Sequence, residues 1–81
     1  MRELVEYLAK ALVENPADVV VTQREDDEAI IIELRVLAED MGKVIGKQGR
    51  IAKAIRTLVK ASASQDERKK IAVDIKSTDE E

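Results

Sequence analysis

Apolar residues recur along the chain in two rhythms, one helical and one alternating. From residue 2 to 14, Leu4, Val5, Leu8 and Leu12 share a stripe at the spacing of a helix of about 3.6 residues per turn, which predicts a helix over 2–14. Asn15-Pro16 ends it, because the residue before proline is pushed out of the helical region and proline has no amide to donate. Val19-Val20-Val21-Thr22 is β-branched throughout and predicts a strand. Asp26-Asp27 supplies a turn without the glycine of the tightest hairpins. Ile30, Ile32, Leu34 and Val36 then alternate with Ile31, Glu33 and Arg35, the clearest strand in the sequence.

The helical rhythm returns after residue 38. A short helix is expected from Glu39 to about Ile45, with Asp40 near the positive end of its dipole. Gly46 to Gly49 interrupt it. A third helix follows, with Ile51, Ala54, Ile55 and Leu58 turned inward and Lys53, Arg56 and Lys60 outward. Ser64 to Lys70 reads as a polar loop in which Ser64 and Glu67 fit a one-turn capping box. Ile71, Val73 and Ile75 alternate with Ala72, Asp74 and Lys76 as a third strand. The pattern divides the chain into a folded unit over 1–76 and an acidic, frayed tail over 77–81. The element order is α-β-β-α-α-β. Three apolar helix stripes and one small sheet make an α+β two-layer domain, the sheet covered on one face by three helices.

Composition narrows what such a domain does. With 81 residues there is room for one domain, and a chain this short buries only about 60% of the surface it exposes when unfolded. It has no cysteine and no histidine, so disulfides, thiolate or imidazole metal sites and the usual neutral-pH general base are all missing. No nucleophile–base pair can be assembled, and an enzyme is rejected: no catalytic residue, metal, cofactor or small-molecule substrate is expected. No leader and no apolar run long enough for a membrane span is recognisable, so a soluble cytoplasmic protein is expected.

Charge is distributed unevenly. The whole chain carries 14 basic and 17 acidic residues, a net charge of −3. Residues 1–40 are strongly acidic, whereas residues 41–65 contain Lys43, Lys47, Arg50, Lys53, Arg56 and Lys60 and no acid. A polyanion feels that local field, because salt screens charges beyond about 10 Å. A basic solvated helix face is the plainer explanation, so charge alone decides nothing.

Inside the basic segment lies Val44-Ile45-Gly46-Lys47-Gln48-Gly49-Arg50-Ile51. Glycine at both ends of the turn permits backbone angles that a Cβ forbids and leaves no side chain to hold a ligand off. The helix that follows presents its positive dipole end, and Lys47 and Arg50 add whole charges. A phosphate backbone fits against such a turn, with Val44, Ile45 and Ile51 as an apolar floor for bases. A lone Gly-x-x-Gly usually makes only a tight helix connection. Here the flanking helices, the Val-Ile pair before it and the isoleucine after it add constraints.

With that context the segment resembles the signature of the KH domain, whose GXXG loop clamps the backbone of about four nucleotides. The resemblance covers essentially residues 1–76, in the type II (bacterial) order, and the length is similar to the small stand-alone bacterial KH proteins, the KhpA family. It implies single-stranded RNA as ligand, with Gly46, Lys47, Gln48 and Gly49 on phosphate, Ile45 and Ile51 at the groove, and Arg50, Lys43 and Lys53 as flanking cations. It implies that the strand from Ile30 to Val36 forms the far wall. It also implies a post-transcriptional regulator or RNA chaperone, and self-association or pairing with a larger KH-containing Jag-type protein tied to cell division, cell shape and envelope synthesis. A ribosome-assembly role is less favoured, since no GTPase is attached. Gly42 is assigned either to close packing or to the start of the helix.

The single aromatic residue, Tyr7, rules out a base-stacking platform of the RRM, OB or cold-shock kind. It also predicts weak binding, since stacking of about 1–3 kcal/mol per base is missing. Gly42, Gly46 and Gly49 match no nucleotide loop: Arg50-Ile51 follows where a P-loop needs Lys-Ser/Thr, and a helix precedes where it needs a strand. Glu25 to Glu28 lack a glycine-bearing calcium loop and read as a solvated turn.

Overall fold

A computed structural model describes residues 2–62 and 70–78. Its elements run α1 (Arg2–Leu12), β1 (Val20–Glu25), β2 (Ala29–Val36), α2 (Met41–Ile45), α3 (Arg50–Ser62) and β3 (Lys70–Ser77), with single 3-10 turns at Pro16–Asp18, Ala38–Asp40 and Lys47–Gly49. This is the expected α+β order. The Ser64–Glu67 box falls outside the described residues.

The sheet has the order β1-β2-β3, with β1 antiparallel and β3 parallel to the central β2. A parallel neighbour cannot be reached by a hairpin, so α2, the glycine turn and α3 form the crossover between β2 and β3. At the hairpin, Asp26 replaces the missing glycine. Its carboxylate accepts the amides of Glu28 and Ala29, both at 2.7 Å, while its own amide donates to the Ala29 carbonyl at 3.0 Å.

The alternation in β2 sorts its side chains as expected. Ile30, Ile32, Leu34 and Val36 are buried, and the residues between them are half-buried on the other face. Val21 of β1 and Val73 of β3 complete the sheet's contribution to the core. Burying each such side chain is worth about 1.5–3 kcal/mol.

Two helix stripes are rotated from their expected positions. In α1 the buried residues are Val5 and Ala9, with Leu4 and Leu8 beside them and Leu12 exposed. In α3 they are Ala52, Ile55 and Val59, whereas Ala54 and Leu58 face solvent. In both, the innermost line includes an alanine, because close approach to the sheet leaves room for a methyl where a larger side chain must sit at the flank. Ser77 ends β3 with its side chain buried, and the Thr78 amide donates to the Val36 carbonyl at 2.8 Å.

Candidate nucleic-acid interface

The glycine turn is built by the way α2 stops. Val44 is fully buried and pins the helix to the core, so it is a core residue and contributes nothing to an exposed floor. Ile45, half-buried, packs at the edge of the core. The Gly46 amide closes α2 on the Gly42 carbonyl at 2.8 Å, and Gly46 then takes φ 76°, ψ 175°. A Cβ there would lie 2.6 Å from Cγ1 of Ile51. The space left by the missing side chain of Gly46 is therefore filled by Ile51, not kept open for a ligand. Gly49, at φ 73°, is different: a Cβ on it would meet nothing within 4 Å, so its surface is open. Gly42 has equally open surroundings, which excludes the close-packing role; its carbonyl ends the helix.

Between the glycines, Gln48 adopts the left-handed conformation (φ 58°, ψ 25°), uncommon for a residue with a side chain. The amide of Gly49 donates to the Gly46 carbonyl at 3.2 Å and that of Arg50 to the Lys47 carbonyl. The amides of Lys47 and Gln48 make no backbone hydrogen bond among the described residues. Two of the turn's donors are thus used within it, and two have no backbone partner among the described residues.

Lys47, Gln48 and Arg50 are exposed, and Arg50 Nη2 donates weakly to Gln48 Oε1 at 3.4 Å. Lys53, one turn further along α3, is also exposed. Lys43 is placed differently. Its Nζ lies 2.7 Å from Glu14 Oε1. The hydrogen bond it donates to Glu14, helped by the charges of Glu14 and Asp40, holds the Lys43 ammonium above its ordinary range despite partial burial.

β2 does not offer the free backbone of the far wall that the resemblance implies. β2 is hydrogen-bonded along both edges, so its backbone is used within the sheet. The strand with an open edge next to α2 and α3 is β3. Lys70 and Thr78 both donate toward β2, and the two-residue period assigns Ala72, Asp74 and Lys76 to that ladder as well. The backbone groups of Ile71, Val73 and Ile75 point to the open edge, where Arg56 Nε donates to the Val73 carbonyl at 3.4 Å.

Asp40 precedes α2 but does not cap it. Its buried carboxylate accepts the amides of Glu14 and Asn15 at 3.3 and 3.2 Å and the Asn15 side-chain amide at 3.0 Å. It thereby ties the end of α1 to the start of α2 and fixes the frame of the turn. Burial opposes its charge. The Asn15 side chain, the two backbone amides and the nearby Lys43 outweigh burial and hold its pKa below the ordinary value of 3.8. No local pattern signals this role, since the partners lie 25 and 26 residues away.

Comparison with known proteins places the chain in a family. The family model described as KhpA/KhpB, KH domain, matches residues 2–75. The chain is 63% identical over 75 residues to the RNA-binding protein KhpA of Clostridium perfringens, covering 93% of this chain and 99% of the relative. It is 61% identical, with the same coverage, to the RNA-binding protein KhpA of Caldanaerobacter subterraneus subsp. tengcongensis. With the protein of the same name from Listeria monocytogenes it shares 55% over 69 residues, 85% of this chain and 91% of the relative. No solved structure matches.

Proposed function

This chain belongs to the KhpA/KhpB KH-domain family, and on that basis we propose that it binds single-stranded RNA with the Gly46–Gly49 turn. The observation that carries this reading is the turn itself: two amides, at Lys47 and Gln48, with no backbone partner among the described residues, next to the open surface of Gly49 and between exposed cations. A phosphate oxygen accepts from the amides while Lys47 and Arg50 supply charge, and Lys53 reaches the next phosphate along α3. Ile45 and Ile51 give bases a narrow aliphatic surface. The open edge of β3 lies across from them and replaces β2 as the second wall, offering the backbone groups of Ile71 and Ile75 to base edges.

This chemistry discriminates little between sequences, because phosphate contacts position a strand and carry no base information. It suits a cytoplasmic post-transcriptional regulator or RNA chaperone that holds many RNAs weakly. The absence of both histidine and cysteine supports a binding rather than a catalytic role.

The test is the double variant Lys47→Asp, Gln48→Asp. Both side chains are exposed, and aspartate tolerates the left-handed conformation of residue 48, so the melting midpoint should hold. Affinity for a short single-stranded RNA should fall at least about tenfold, since three units of charge change where phosphate sits. For the unmodified protein, a footprint of about four phosphates gives a log–log salt slope near −3. RNA affinity within error of the unmodified protein would mean that the turn is only a connector.

A second reading, pairing with another KH protein or a second copy, is favoured by Leu58. It is 47% exposed on α3, one turn from the exposed Ala54. If the chain self-associates, its calorimetric melting midpoint rises with protein concentration, whereas a monomer's stays fixed.

A further inference from the structure

The basic segment does not present all of its charge to RNA. Of its six cations, Lys43 is the one held by a carboxylate among the described residues. The pair is set up by backbone rather than by chance. Asp40 accepts the amides of Glu14 and Asn15, which places the Glu14 side chain beside Lys43, one helical turn beyond Asp40. The two side chains meet at 2.7 Å, and Glu14 remains 72% exposed. Lys43 lies three residues before Gly46, about 5 Å along the helix axis, within one nucleotide's reach of the turn.

From this we propose that Glu14 is an affinity-setting residue. Its carboxylate stands in for an RNA phosphate on Lys43 and shortens the phosphate footprint by one contact. The idea rests on the turn being the RNA grip, and it adds the residue that limits how far the grip extends. A strand laid along α2 meets a neutralised cation at Lys43 and a carboxylate that repels phosphate. The partner that would occupy Lys43 in the absence of Glu14 is the next phosphate of the same strand.

The experiment compares the unmodified protein with Glu14→Gln, Lys43→Gln, the double variant, and Asp27→Asn. The last removes the same charge from the exposed hairpin turn. Binding to a short single-stranded RNA of randomised sequence is measured over a range of salt concentrations. At about 0.15 M salt, Glu14→Gln should tighten binding about fourfold and steepen the log–log salt slope by about 0.7, the signature of one added phosphate contact. Lys43→Gln alone should change affinity less than about twofold, and on the Glu14→Gln background it should abolish the gain. The inference is overturned if Glu14→Gln binds no tighter than Asp27→Asn, or if Lys43→Gln alone weakens binding about fourfold, which would place Lys43 on RNA already. Including the Lys47→Asp, Gln48→Asp protein separates the two readings. If that protein loses RNA while Glu14→Gln is silent, only the role of Glu14 fails. If it binds like the unmodified chain, the turn itself is not the grip.

Discussion

Gly46→Ala should lower the unfolding free energy by about 4 kcal/mol, read from a urea titration. Two effects add. At φ 76°, ψ 175° the residue occupies a region essentially restricted to glycine, which costs about 1–3 kcal/mol for any other side chain. The new methyl would also lie 2.6 Å from Cγ1 and 2.9 Å from Cβ and Cδ1 of Ile51. Ile51 is β-branched, sits in the first turn of α3 and packs against the core, so it has little freedom to withdraw. Overpacking of this kind costs about 1–3 kcal/mol. Small domains have about 5–15 kcal/mol in total, so the variant loses much of its margin. Gly49→Ala should be milder, about 1–2 kcal/mol, since only the backbone angle opposes it. Equal stability losses at the two positions would mean that Ile51 does not fill the space over Gly46.

The second large effect is expected at Asp40. Replacing it with alanine leaves the amides of Glu14 and Asn15 without their acceptor and removes one from the Asn15 side chain, which keeps a weaker contact to Glu39 at 3.3 Å. Donors stranded in a part-buried site are costly, and for a domain of this size the melting midpoint should fall by about 10 °C. The same group makes stability depend on acid. Its folded-state pKa lies below the ordinary 3.8, so its contribution is complete above that value. It is lost as pH falls from there through the folded-state pKa. Asp40→Asn should remove this acid limb of the melting curve while keeping part of the stability at neutral pH. An acid limb unchanged in Asp40→Asn would assign it to other carboxylates.

The β2 strand and the glycine turn were legible because their signals are local. Strict alternation sorts Ile30, Ile32, Leu34 and Val36 from their neighbours, and glycines three apart between helical stripes mark a break. The exact buried lines of α1 and α3 were not legible. Leu12 and Leu58 satisfy the period as well as Ala9 and Ala52 do, and only the distance of each helix from the sheet decides which line fits inside. That β2 lacks a free backbone edge was not legible for a similar reason. Position in the sheet decides whether a strand can offer its backbone, and alternation carries no information about sheet order. β2 has the strongest strand pattern in the chain because it is central, which is also why it cannot be a wall. Asp40, Glu14 and Lys43 form a cluster across nearly thirty residues of chain, and their acidic and basic side chains look like ordinary surface charge until α1 and α2 meet.

The parallel pairing of β2 with β3 has a consequence for the order in which the protein becomes competent during synthesis. The hairpin of β1 and β2 needs only neighbouring residues and can close early. The helices around the glycine turn complete their packing only when the strand on the far side of the crossover has emerged and docked beside β2. A nascent chain that already contains Lys47 but not yet Val73 therefore carries the glycine turn without its frame, and the turn takes its final setting only once the last strand is in place.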